Sequence, residues 1–413
     1  MIERKLIGPF KQLLTMNNLP VNGPLNDNEI EVFEKAGILT EGGCIAEVGL
    51  FDTLAEEAKK NNCSIEEINS CTVAMPGFID PHTHICWAGN RANDYSMRLE
   101  GKTYPDIAKS GGGIISTVEK TRNANADELA FLTADRAKRM LNDGVTTIEV
   151  KSGYGLTGSE EIKILQAIKK AGNFVQADLI PTCLAAHIKP YDFEGSNSAY
   201  LNFIVNDLLP EIYEKGLANR VDIYCDEMAF KPKEALDFLM KAKDMGFELT
   251  IHADQFTIGG SEVAAKVGAV SADHLEVSGI REIKLLAAGS VVPVALPASS
   301  VGLGTKFAPA RKLLNAGASL AIGSDWNPGT APMGDLLICA AILGVFEKLT
   351  NAETLAAITF RAAAALDLKD RGIIKKGNIA DFIAFELNDY REILYNQGKI
   401  KPNIVWKNGI PVK

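Results

Sequence analysis

The chain contains only five histidines, His82, His84, His187, His252 and His274. His82 and His84 are separated by one residue, so in an extended strand both side chains leave the same face and can reach one cation while Thr83 points away. Such a pair alone is a weak signal. With His252 and Asp325 it becomes three imidazoles and a carboxylate, a ligand set suited to zinc or a similar divalent ion with one position open for water. An ion of this kind lowers the pKa of coordinated water to about 7, which makes hydrolysis the favoured reaction class. A closed structural site would more commonly use cysteines at local spacing.

These residues are far apart in sequence, and the elements between them must bring them together. From Val73 to Asp325, short β-branched runs alternate with longer helical patterns, the signature of repeated strand-helix-strand units. Eight strands are expected to end near His84, Lys151, His187, Asp226, His252, His274, Leu296 and Asp325. Eight such units imply a (β/α)₈ TIM-like barrel, and all five histidines then fall at the strand ends where barrel enzymes place their chemistry. Ser159 is read as the cap of a helix carrying Ile162, Leu165 and Ile168 and ending at Gly172; Leu236, Leu239, Met240 and Lys243 precede Gly246 in another.

The flanks carry short strands at Leu13 to Met16, Cys44 to Val48, Ile379 to Phe385 and Ile404 to Val412, with little helix between them. Asn408-Gly409 is a two-residue hairpin signal. Residues 1–72 and 371–413 are therefore expected to form one small β-sandwich-like domain from both termini, with residues 73–370 as the barrel. The apolar run Leu336 to Phe346 covers 11 residues, too short for the roughly 20 of a membrane span, and reads as a buried helix.

Lys and Arg total 43 against 52 Asp and Glu, a net charge of −9 with no basic block, which excludes nucleic acid and anionic membranes as expected partners. The seven cysteines contain no C-x-x-C pair, and the first 19 residues, broken by Glu3, Arg4, Lys5 and Lys11, hold no export signal. A reducing cytoplasm is the expected location. The triple glycine Gly111 to Gly113 is followed by no Lys-Ser/Thr pair, so it reads as a glycine-rich active-site loop rather than a phosphate cradle.

PGFIDPHTH (Pro76 to His84), with His252 and Asp325, resembles the amidohydrolase superfamily, metal-dependent hydrolases on such barrels. The segments Cys86 to Arg122, EVKSGYGL (Glu149 to Leu156), IHADQF (Ile251 to Phe256), SADHLE (Ser271 to Glu276) and SDWNPGT (Ser324 to Thr330) are similar to the imidazolonepropionase family. The resemblance implies hydrolytic opening of 4-imidazolone-5-propanoate to N-formimidoyl-L-glutamate with one zinc or iron ion per chain. It assigns His82, His84, His252 and Asp325 to the metal. It assigns Arg91, Tyr154, His187 and Gln255 to the substrate, and Asn327, Gly329 and Thr330 to the ring-opened product. A homodimer is expected by the same analogy.

Residue chemistry bears on several of these roles. Arg91, seven residues beyond the metal pair, offers a fork-shaped cation for the propanoate. Tyr154 lies just past a strand end and either contacts the ligand or packs as a loop aromatic. Asn327 to Thr330 is either an ordinary turn or a set of backbone amides for a carboxylate. Gln255 stands where many deaminases carry a proton-moving Glu; an amide cannot do that work, so the base becomes Asp325 or His274 while Gln255 orients the ring. His274 either shares the acid/base chemistry or positions the groups that do. Lys151 follows the second strand rather than the fourth, so it reads as an ion-pair residue beside a single metal, not as a carboxylated bridge between two. The alternatives are another mononuclear hydrolase, such as a formimidoylglutamate or aromatic deaminase, and a non-catalytic scaffold that has lost its metal ligands.

Overall fold

The computed structural model describes residues 4–68 and 71–413. Residues 1–3 and 69–70, part of the expected first segment, lie outside the described residues.

Among the described residues the strands form two sheets of eight. One is the barrel, with strands in sequence order Phe78–Asp80, Val145–Lys151, Asp178–Ala186, Arg220–Cys225, Glu248–Ala253, Ser271–His274, Val292–Ala295 and Ala321–Ile322, all paired in parallel. Helices cover it outside, so its strands are buried on both faces and need apolar or fully partnered residues throughout. Every residue of Val145–Lys151 is buried, including Thr146, Thr147, Glu149 and Lys151.

Six of the barrel strands end within one residue of the expected positions, and the first and eighth end earlier. The first stops at Asp80, because Pro81 has no N–H to offer the ladder, and His82 and His84 follow just beyond it, outside the strand. The eighth stops at Ile322, three residues before Asp325. The barrel is closed beyond these strands, where Asp325 N donates to His82 O at 3.0 Å and His84 N to Trp326 O at 3.1 Å. The metal-binding candidates therefore sit on the closing seam itself.

Thr157, not Ser159, caps the helix Gly158–Ala171, its side chain accepting from the Glu160 amide; Gly172 ends the helix as expected. Both Thr and Ser are good caps, and the start of the apolar stripe does not separate them. The run at Leu336 forms the helix Leu336–Glu347, capped by Asp335 and buried except toward its end, where Val345 and Phe346 are exposed.

The second sheet is built from both termini. Its strand Val73–Pro76 pairs in parallel with Arg4–Leu14 and antiparallel with Phe382–Phe385, then runs through Gly77 into the first barrel strand. A Cβ at Gly77 would fall 2.5 Å from Thr146 Oγ1, so only glycine fits at this crossing. Phe382 stacks on Trp406 at 4.6 Å between ring centres, and Phe10 meets Trp406 edge-on at 6.0 Å. The Asn408-Gly409 hairpin is present, with both residues at positive φ, joining Ile404–Lys407 to Ile410–Pro411. A ten-residue helix, Phe51–Lys60, stands in the N-terminal flank where little helix is expected; Phe51, Leu54 and Ala58 pack on Leu6 and Leu39 of the sheet. No described helix is long and apolar enough to cross a membrane.

Candidate active site and metal centre

One ring nitrogen from each of His82, His84 and His252 lies within 4.8 Å of the others, and all three rings are buried. His82 Nε2 is 3.3 Å from His84 Nε2, and Asp325 Oδ1 is 3.6 and 3.4 Å from those two atoms. Two ligands at about 2.0–2.1 Å from a tetrahedral ion lie roughly 3.3 Å apart, so the donor set fits a divalent metal ion. Burial, reinforced by the Lys151 ammonium, holds His82 well below its usual pKa and His84 at about 3; burial, opposed by Asp222, holds His252 at about 4. The imidazoles are thus neutral at physiological pH, the form that binds metals.

Carboxylates behind the rings set their orientation. His82 Nδ1 donates to Asp273 Oδ2 at 2.6 Å, which leaves Nε2 as the free lone pair. His252 Nδ1 lies 2.9 Å from Asp222 Oδ2 but off the line of a good hydrogen bond, so this contact is electrostatic. Lys151 ties both supports together. Its Nζ is 2.7 Å from Glu149 Oε1, 2.9 Å from Asp222 Oδ2 and 3.8 Å from Asp273 Oδ2, with all four side chains buried. Against the penalty of burial, Asp222 and Glu149 raise the lysine pKa, which keeps it charged, and His252 and Lys151 hold Asp222 well below the carboxylate range. Glu149 also accepts from the Thr83 amide at 3.2 Å, and Thr83 Oγ1 donates to the Glu149 carbonyl at 2.6 Å, so the Thr83 side chain turns to the neighbouring strand rather than to the imidazoles, as the spacing predicts. Lys151 is an ion-pair hub behind the imidazoles.

His274 stands beside the cluster, its ring centre 5.2 Å from that of His252. Its Nδ1 is 3.3 Å from Glu276 Oε1. Burial opposes protonation, yet the Glu276 carboxylate outweighs it and raises the His274 pKa above 6.5. Burial likewise raises Asp325, more than the neighbouring imidazoles lower it. Both residues hold left-handed backbone, φ 84° at His274 and 50° at Asp325, a strain that surrounding structure must sustain and that concentrates at functional sites.

Above the cluster opens a cavity of about 1090 Å³ lined by Arg91, Tyr154, His187, Gln255, Asn327 and Thr330 among others. His187 Nδ1 donates to Gly153 O at 3.0 Å, which fixes the tautomer and leaves Nε2 as an acceptor. Gly153 has φ 103° and its Cβ position is 2.8 Å from Leu184 O, so the turn needs glycine. Glu161, fully buried, accepts from the amides of Gly153, Gly155 and Leu156 at 3.0, 2.8 and 2.7 Å and holds the loop that carries Tyr154. Tyr224 Oη donates to Gln255 Oε1 at 2.8 Å, and Gln255 Nε2 donates to Ser299 Oγ at 3.4 Å.

Arg91 Nε donates to Asp94 Oδ2 at 2.7 Å, and that oxygen also accepts from Gly113 N at 2.9 Å. The triple glycine thus packs on the carboxylate that aims Arg91; a Cβ at Gly112 would fall 2.5 Å from Asp94 Oδ1. Beyond Asp325, the amides of Gly329 and Thr330 are not free for a ligand carboxylate, because both donate to Asn327 Oδ1 at 2.8 Å. Asn327 Nδ2 reaches back to Asp325 O at 2.7 Å, so this turn braces the candidate metal ligand. Sequence reasoning gives Asp222, Asp273, Glu149 and Glu276 no role: Glu149, Asp273 and Glu276 lie inside segments that carry the family resemblance, but what each carboxylate partners shows only in the fold.

Residues 73–412 match the amidohydrolase family. The chain is 37% identical to an imidazolonepropionase of Thermoanaerobacter pseudethanolicus over 98% of its length and 96% of that protein, and 37% identical to one of Bacillus mycoides over 99% and 96%. Among solved structures, the atrazine chlorohydrolase of Arthrobacter aurescens TC1, complexed with zinc, superposes with a TM-score of 0.67 at 17% identity, covering 99% of this chain and 95% of that one. At that identity the likeness shows the fold alone. With the metal-binding cluster, the neutral imidazoles and these sequence relationships in hand, the chain belongs to the amidohydrolase family and, within it, to the imidazolonepropionases.

Proposed function

We propose that this protein hydrolyses 4-imidazolone-5-propanoate to N-formimidoyl-L-glutamate with one zinc or iron ion bound by His82, His84, His252 and Asp325. The observation that carries the reading is the convergence of three neutral imidazoles and a carboxylate at the floor of a pocket whose wall presents Arg91. The imidazolonepropionase relatives support the choice of substrate. A divalent ion held there would acidify water enough to supply hydroxide near neutral pH and would polarise the ring carbonyl.

The chain's own residues do the rest. The substrate's side-chain carboxylate meets Arg91, which Asp94 holds in place. Tyr154 and His187 wall the ring, whose centres lie 5.9 and 5.5 Å from that of His84. Gln255, braced by Tyr224 and Ser299, presents its amide to the imidazolone edge. Asp325, made more basic by burial, takes a proton from the attacking water. His274, whose protonated form the Glu276 carboxylate favours, donates a hydrogen bond toward the carbonyl oxygen as negative charge grows on it. Water adds to the ring carbonyl carbon, the carbon–nitrogen bond breaks, and the proton held by Asp325 passes to the leaving nitrogen. One water is consumed: one of its protons ends on the leaving nitrogen, and the other is released as the new carboxyl group ionises.

The test is loss of imidazolone absorbance with freshly generated substrate, on the wild type and Arg91→Ala, with metal content measured in parallel. Arg91→Ala should keep its metal while KM rises about 10- to 150-fold, the equivalent of roughly 1.5–3 kcal/mol for a hydrogen bond to a charged group. Ammonia released from the first turnover would point to deamination instead.

A further inference from the structure

Arg98 lines the same cavity, and no motif assigns it a role. It lies on the helix Ala92–Leu99, whose N-cap is Arg91, seven residues before it. The two guanidinium groups meet at Gly329. A Cβ there would come within 2.2 Å of Arg91 Nη1, while the Gly329 carbonyl accepts from Arg98 Nη2 at 2.8 Å.

Their partners differ. Arg91 is paired with the Asp94 carboxylate at 2.7 Å, and that carboxylate also serves the Gly113 amide. Arg98 has a neutral carbonyl, and its Nε is buried with no hydrogen-bond partner among the described residues. Two cations and one anion on this wall leave one positive charge uncompensated, in a position where burial and the neighbouring Arg91 already disfavour it. A buried donor of a charged group left unmatched is costly. Asp325, the acid nearest along the chain to Gly329, is engaged with the imidazole cluster and does not answer it. A ligand carboxylate does, since its two oxygens offer about four lone-pair sites and can accept from two guanidinium groups at once.

We infer that Arg98 is a second anion-binding residue, which with Arg91 forms a two-arginine clamp for the carboxylate at the end of the substrate's side chain. This rests on the ring-opening reading above. The competing role for Arg98 is a prop for the Gly329 carbonyl and the turn behind Asp325.

The two roles separate in a competition experiment. Inhibition of imidazolone consumption is measured with 3-(imidazol-4-yl)propanoate and with its uncharged amide, for wild type, Arg98→Met and Arg98→Lys. The wild type should favour the carboxylate inhibitor. Arg98→Met should lose that preference by about tenfold or more, with kcat within about threefold of wild type, and Arg98→Lys, which keeps the charge but not the fork, should fall between. Arg98→Met that weakens both inhibitors equally, or lowers kcat with the preference intact, makes Arg98 a prop and overturns the clamp. Should Arg98→Met not fold, Arg98→Lys with unaltered preference and unaltered KM overturns it. A wild type that does not consume the imidazolone overturns the underlying reading; a wild type that does, with an unchanged Arg98→Met, overturns the clamp alone.

Discussion

The amide of Asp325 donates to the carbonyl of His82 at 3.0 Å, joining the candidate metal ligand that follows the eighth strand to the one that follows the first. The spacing of the donor set is therefore tied to how tightly the barrel closes. Gly323, just before this bond, leaves room only for a hydrogen, because a Cβ would lie 3.0 Å from His82 Cβ and 2.9 Å from Leu296 Cδ2. Gly323→Val should cost about 1–3 kcal/mol by overpacking and lower the metal bound per chain. Thermal melting and elemental analysis of the purified variant check it; full metal occupancy would show that the seam does not govern the site.

Lys151 is the counter-cation for three buried carboxylates. Lys151→Met keeps the stem and removes the charge, leaving Glu149, Asp222 and Asp273 to repel one another. Loss of one partner of a buried ion pair costs roughly 3–5 kcal/mol, and disturbing the groups that orient metal ligands typically lowers affinity about 10–100-fold. Competition with a chromophoric chelator measures the second effect, and an unchanged metal affinity would count against it.

Glu276 raises the pKa of His274. Removing that charge with Glu276→Gln must lower it, so whichever limb of the kcat/KM profile reports His274 moves to lower pH. If protonated His274 is the active form, the alkaline limb moves and activity falls at pH 8 more than at pH 6. A profile that scales down without shifting would remove Glu276 from this role.

Tyr224 orients Gln255 through one hydrogen bond of 2.8 Å. Tyr224→Phe should lower kcat/KM by about 2- to 10-fold, as expected for a neutral hydrogen bond of roughly 0.5–1.5 kcal/mol, with metal content unaltered. Steady-state kinetics on the metal-replete variant decides the matter.

The barrel and its metal-binding candidates were legible because period-2 and period-3.6 patterns alternate eight times and because histidine is scarce, so its placement at strand ends stands out. Asp222, Asp273 and Glu149 were not legible, since what distinguishes them is the imidazole or ammonium across the barrel, a long-range pairing that no local spacing encodes. The sequence leaves the turn amides beside Asn327 open to a carboxylate; the Asn327 side chain takes those amides itself, a choice set by a rotamer rather than by residue type. The left-handed backbone at His274 and Asp325 is equally invisible in the sequence: Asp and His are enriched in that region relative to other non-glycine residues, but they occupy it at only a small minority of positions.

The donor set draws on both edges of the closing seam, with His82 and His84 near the start of the barrel and Asp325 at its last strand. On the ribosome, a growing chain therefore displays its imidazoles long before the carboxylate that joins them emerges, and the strand Phe382–Phe385 that stitches the second sheet comes later still. A polypeptide interrupted between those points carries donor residues without the enclosure that would make them reactive.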